Sequence, residues 1–127
     1  MDSTTPSRIH LHRQSGILEL VFGNTDSFNL PCEYLRVYSP SAEVRGHGPG
    51  QEVLQTGKRL VKLIKIEPVG NYGLKLTFDD GHDSGIYSWN YLHELATKQQ
   101  SRWQDYLDKL EKAGASREPK HIPLKAL

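Results

Sequence analysis

Cysteine is nearly absent from this chain. Cys32 stands alone among 127 residues, which excludes an internal disulfide and any Cys-x-x-Cys metal or redox motif. Long apolar runs are missing too, and none approaches the roughly 20 residues that a membrane-crossing helix needs. Nor is there an excess of one charge. Lys and Arg number 16 against 15 Asp and Glu, a formal net charge of +1, so nothing overall drives the chain onto phosphate backbones or anionic lipid. Met1 to Ser7 lacks the basic-then-apolar order of a signal peptide. Together these absences predict a cytoplasmic protein with no membrane contact and no specific nucleic-acid partner.

What is present suits one domain. The length can bury a single core, and 24% charged residues is ordinary for a soluble protein. Residues 1–7 and 115–127 carry little that could pack. They are expected to be a disordered N-terminus and a flexible C-terminal tail around a domain spanning 8–114. A local basic bias, Lys58, Arg59, Lys62 and Lys65, reads as the solvated face of a strand.

Apolar and polar positions alternate in Arg8–Arg13, Ile17–Phe22 and Leu74–Phe78, as half-buried strands do. Further strands are predicted at Ser27–Leu30, Lys58–Val69 and Ser84–Tyr87, separated by turn residues such as Gly23-Asn24-Thr25-Asp26 and Gly70-Asn71-Tyr72-Gly73. Pro31 opens a short helix over Glu33–Tyr38, Ser41-Ala42-Glu43 suggests another helical turn, and Gly46–Gly57 reads as a flexible loop. From Trp89 to Ala113 apolar residues recur every three or four positions. That pattern predicts one long amphipathic helix, capped by Ser88 and Gly114 and bent near Thr97–Ser101. The expected class is α+β: a mainly antiparallel sheet of five or six strands, a short helix, and the long C-terminal helix packed on the sheet.

Several chemical motifs fail on inspection. Gly57-Lys58 is not a phosphate loop, because six residues separate Gly50 from Gly57 and Arg59 replaces the magnesium-binding hydroxyl. Cys32, at a helix start, should have its thiol pKa lowered somewhat by the dipole, although a half-buried spectator is the plainer reading. Cys32, His47, His82 and His93 are good ligand types without close ligand spacing. His10 and His12 share one strand face and could hold a metal weakly, or simply stand exposed. Two dense polar segments remain, Ser39–Gly48 and Asp79–Trp89. Both are rich in turn formers, imidazoles, carboxylates and hydroxyls, and such groups in loops either hold a turn or face a ligand.

These segments carry a resemblance. Leu35-Arg36-Val37-Tyr38-Ser39-Pro40-Ser41-Ala42-Glu43-Val44, Gly57-Lys58-Arg59, Glu67-Pro68-Val69-Gly70-Asn71-Tyr72, and Asp80-Gly81-His82 through Tyr87-Ser88-Trp89 look like the DUF971 family. It is the same module as the N-terminal domain of gamma-butyrobetaine hydroxylase. The match covers about Ile9 to Gly114, and its stand-alone bacterial members have no established activity. In the hydroxylase this module binds zinc through a Cys-x-Cys-x-x-Cys run and a later histidine. The resemblance places Ser39, Ser41 and Val44 at the three thiolate positions and keeps only His82. It therefore implies that hydroxyl hydrogen bonds pin this loop against the His82 turn in place of the metal. The dioxygenase activity does not carry over, since no His-x-Asp or His-x-Glu pair occurs here.

Three functions follow as expectations. The first is a non-enzymatic binding or adaptor module for a protein partner, or for an iron-dependent or iron–sulfur system, with a face of Arg36, Ser39, Ser41, Glu43, His47, His82 and Tyr87. No cofactor is expected in that case. The second is a protein that binds iron or zinc weakly through His82, His47 and a carboxylate such as Glu43 or Asp80. The third is a small enzyme of unassigned chemistry.

Overall fold

The computed structural model describes residues 5–119. Three strands, β1 (Arg8–His12), β2 (Ile17–Phe22) and β3 (Asp26–Pro31), form an antiparallel meander. Two short helices follow, α1 (Cys32–Val37) and α2 (Ala42–Arg45). A second antiparallel meander, β4 (Leu63–Val69), β5 (Gly73–Phe78) and β6 (Ile86–Ser88), leads into helices α3 (Trp89–Thr97) and α4 (Gln99–Ala113).

The α+β class holds, but the single sheet of five or six strands does not: there are two separate three-stranded sheets. Their edges explain why they do not merge. Pro68 removes a backbone donor from β4, β3 ends at Pro31, and β6 is only three residues long. Lys58–Lys62, expected to begin a strand, lies outside β4. Its bases are individually engaged: Lys58 with Asp80, Arg59 with Glu118, and Lys62 Nζ donating to the Gln14 carbonyl.

One apolar core joins both sheets. Leu18, Leu20 and Leu30 meet Leu63, Leu74, Leu76 and Phe78, with Tyr34 and Leu35 of α1 and Leu92 and Leu95 of α3 completing it. The expected continuous C-terminal helix is two helices, broken at Lys98 within the segment where a bend was expected. Thr97 Oγ1 donates back to the His93 carbonyl at 3.0 Å, a bond that bends helices. Arg102 then reaches across the break to Glu94 at 2.7 Å. The new direction lets Tyr106 and Leu110 of α4 build a second, smaller cluster with Val37. Ser88 accepts from the Tyr91 amide and Gly114 takes the left-handed conformation at φ 63°, so both caps are as expected.

The ends carry contacts that composition concealed. Ser7 donates from its amide to the Val21 carbonyl and from its hydroxyl to the Gly23 carbonyl. Residues 115–119, read as the start of a tail, lie against the body. Arg117 grips the buried Glu33 with two bonds of 2.8 and 2.6 Å and lies over the Trp103 ring. The remainder of both expected termini, 1–4 and 120–127, falls outside the described residues.

Candidate functional site

The two dense polar segments meet. Buried α1 delivers Arg36 and then Ser39 to the end of the second sheet, where the β5–β6 connection carries Asp80 and His82. Ser39, 1% exposed, places its Oγ 2.8 Å from His82 Nε2 and accepts from the Ser41 amide at 3.2 Å. On the other side of the ring, His82 Nδ1 lies 3.2 Å from Glu43 Oε2. Ser41 caps α2 by accepting from the Glu43 amide, and its hydroxyl meets that of Ser84 at 2.7 Å.

A carboxylate only accepts, so the bond to Glu43 requires the His82 proton on Nδ1. Nε2 is then bare and accepts from the Ser39 hydroxyl. One neutral tautomer thus satisfies the whole chain of contacts. Electrostatics agree: burial, and then the Arg36 charge, push the His82 pKa below its ordinary value, against the opposing pull of Glu43.

Asp80 holds the same turn from beneath. Its Oδ1 accepts from the His82 amide at 3.2 Å, while Oδ2 accepts from Arg36 Nε at 2.8 Å and Lys58 Nζ at 2.9 Å. Burial alone would raise this carboxyl. Hydrogen bonds from Lys58, the His82 amide and Arg36 outweigh it and hold the pKa down to about 2. Tyr87, fully buried, donates to the Leu35 carbonyl at 2.6 Å and ties the sheet to α1.

Glu43, His82 and Ser39 stand in the order of an acid–base–nucleophile relay, yet the relay is sealed. A nucleophile needs a reacting carbonyl at its oxygen. Here the Gly85 backbone lies so close that a Cβ added there would stand 2.4 Å from Ser39 Oγ. The arrangement is a clasp between two loops. Cys32 is equally closed: its Sγ accepts from the Leu63 amide at 3.3 Å, and burial raises the thiol pKa, overriding the lowering expected from the helix start.

Of the seven residues expected to form a binding face, Arg36, Ser39, Ser41, His82 and Tyr87 are buried. Only Glu43 and His47 are exposed. The expected iron or zinc set does not assemble: Glu43 reaches His82, but Asp80 is committed to Arg36 and Lys58. Among the described residues, the one group of three His, Cys, Asp or Glu side chains with ligand atoms within 4.8 Å of one another is His10, His12 and Glu19, and neither His47 nor His82 belongs to it.

The open feature lies beside the clasp. A cavity of about 820 Å³ is bounded by the end of α1, the Gly46–Gln55 loop, α3 and α4. Arg45 lies 4.8 Å over the Tyr91 ring and Arg102 lies 5.6 Å over the Tyr38 ring, with Tyr106 and Lys109 nearby. The loop, expected to be flexible, is tied at both ends. The Val53 amide donates to the Val44 carbonyl at 2.8 Å, and Gln55 accepts from Arg36 through its side chain and from Tyr106 through its carbonyl. Sequence reading found His47 and the clasp but missed Tyr38, Arg45, Tyr91, Arg102 and Tyr106, which come from three separate segments and form no local pattern.

Residues 9–93 match the family model for gamma-butyrobetaine hydroxylase-like, N-terminal. This chain belongs to that family. It is similar to two proteins solved by solution NMR. One is 54% identical over 94% of both chains, with a TM-score of 0.81. The other is 50% identical over 97% of this chain and 92% of that one, with a TM-score of 0.78. It is also similar to a crystal structure of a protein with unknown function, of the DUF971 family, from Acidithiobacillus ferrooxidans ATCC 23270. That match is 33% identical over 76% of this chain and 98% of the other, with a TM-score of 0.63. The search of curated proteins returned no match.

The zinc site of the hydroxylase module does not fit this chain, as the resemblance implied. Its four positions offer one imidazole, two hydroxyls already paired with His82 and Ser84, and the buried aliphatic side chain of Val44. Zinc takes nitrogen, thiolate or carboxylate donors, and this set supplies one.

Proposed function

We propose that this protein is a non-enzymatic binding module that engages a protein partner at the cavity beside the clasp, in the service of an iron-dependent or iron–sulfur system. The cavity carries the reading. The Ser39 and His82 side chains are buried and bonded to each other, whereas the cavity wall carries the half-buried Tyr38 and Tyr91 rings and the exposed cations Arg45 and Lys109. Among the described residues neither Arg45 nor Lys109 has a carboxylate partner. Val53, 53% exposed, adds an apolar rim. A carboxylate-bearing segment of a partner matches that combination: its acid meets Arg45 and Lys109, and its apolar part lies against tyrosine.

The test uses substitutions that spare the clasp. A partner captured from native lysate is purified and titrated against the wild type and the Arg45→Glu, Lys109→Glu variant. Binding should weaken by at least about tenfold, as expected when charge pairing is reversed, with NMR shifts confined to Tyr38, Tyr91, Tyr106 and the 46–55 loop. An unchanged affinity in the variant, or shifts on another face, would overturn the proposal. Arg36 is unsuitable for this purpose. It is buried against Asp80, and its removal would loosen the fold instead of probing recognition.

A further inference from the structure

A second site lies on the outer face of the first sheet. Ile9 and Leu11 turn inward to the core, so the strand alternation sends His10 and His12 outward together. Glu19 stands directly opposite His10 on the neighbouring strand. The two imidazole rings are 4.1 Å apart between centroids, and His12 Nε2 lies 2.9 Å from Glu19 Oε1. From β3, Ser27 Oγ donates to the other carboxylate oxygen, Oε2, at 3.1 Å.

We propose that His10, His12 and Glu19 bind one divalent transition-metal ion of the zinc class. One ligand atom from each of the three lies within 4.8 Å of the others. Tetrahedral ligands about 2.1 Å from zinc lie about 3.4 Å apart, so small side-chain rotations close the triangle. The backbone needs no movement, because two hydrogen-bonded strands already hold the three Cα positions.

Each residue has a separate part. Two imidazole nitrogens select zinc, copper or nickel over magnesium or calcium, which prefer oxygen. Glu19 supplies negative charge. A glutamate at a solvent-accessible position is ionised at neutral pH. Ser27 engages Oε2, as groups behind metal ligands commonly do, and leaves Oε1, bonded only by His12, to face the metal. Metal binding replaces the His12–Glu19 hydrogen bond with two bonds to the ion. Arg8 is the nearby cation acting on Glu19, and it limits the affinity. With three protein ligands, the fourth tetrahedral position stays open to water or to a ligand atom from another molecule.

The experiment is a zinc titration by calorimetry at about pH 7.5 on the full chain, untagged and stripped with chelator. One zinc per chain is expected, with magnesium giving no heat. His10→Ala, His12→Ala and Glu19→Gln should each weaken binding by about tenfold or more, and Ser27→Ala by less. All four positions lie on an outer face, and melting curves verify that the variants fold. The imidazole resonances of His10 and His12 should shift on zinc addition, while those of His82 stay fixed. Failure to bind one zinc per chain would overturn the proposal, as would binding unchanged in the His10→Ala, His12→Ala double variant.

Discussion

His82 sits between an acceptor that cannot donate and a hydroxyl that can do either, and this asymmetry sets its protonation. Adding a second proton places a charge on a buried ring beside Arg36 and removes the lone pair that receives the Ser39 hydroxyl. The folded-state pKa is accordingly lowered. Between the folded and unfolded values the unfolded chain binds more protons, so stability rises with pH there. The contribution is fully present above the unfolded value, near 6.5, and is lost as pH falls through the folded one. Thermal melts from about pH 8 to pH 5 should therefore show stability declining below about 6.5 in the wild type. His82→Asn should flatten that decline, since the other histidines are common to both proteins. An identical slope in the two would contradict this account of His82. Asp80, with its pKa held at about 2, belongs to a separate and more acidic window. The participants in the clasp were visible in the sequence because Ser-Pro-Ser and Asp-Gly-His are turn chemistry. Their burial was not, since residue type alone does not distinguish a hydroxyl facing solvent from one facing an imidazole.

At the scale of elements, the strands of both meanders were legible from alternation and turn residues, and helix ends from Ser88 and Gly114. Two features were less so. The helix break at Lys98 depends on Thr97 bonding backward and Arg102 bonding across, neither of which alters the apolar spacing. The attachment of the C-terminal segment depends on Glu33 and Arg117, 84 residues apart. Glu33 is buried on α1, so removing its partner leaves a carboxylate out of water and uncompensated. Arg117→Ala should destabilise the protein by about 1–3 kcal/mol in chemical denaturation. Arg117→Ala combined with Glu33→Gln should cost less than the sum of the two single changes. Strict additivity would mean that the pair contributes nothing as a pair. The same segment also accepts backbone hydrogen bonds, at the Ser116 carbonyl from the Gly57 amide and at the Arg117 carbonyl from the Arg59 amide. The Arg117 grip therefore also steadies the strandless stretch before β4.

Across the whole molecule, two small sheets share one core, and the polar clasp joins the loop after α1 to the turn after β5. Alternation within a strand specifies its inner face but not whether two meanders merge, so the sheet count could not be read in advance. Pro31, Pro68 and the brevity of β6 decide it. Among the described residues no helix is long and apolar enough to cross a membrane. The clasp also anchors the cavity wall, since Arg36 contacts both Asp80 and Gln55, and Ser39 lies at the junction of the two. The central claim is that hydrogen bonding through a neutral histidine holds these loops together, in place of the metal that the hydroxylase module holds there. Nitrogen NMR of the untagged protein, before and after chelator treatment, tests it most directly. His82 should show a protonated Nδ1 and a bare, hydrogen-bonded Nε2, with both signals unmoved by the chelator. A metal-bound Nε2, or a His82 tautomer that changes when metal is stripped, would contradict the account.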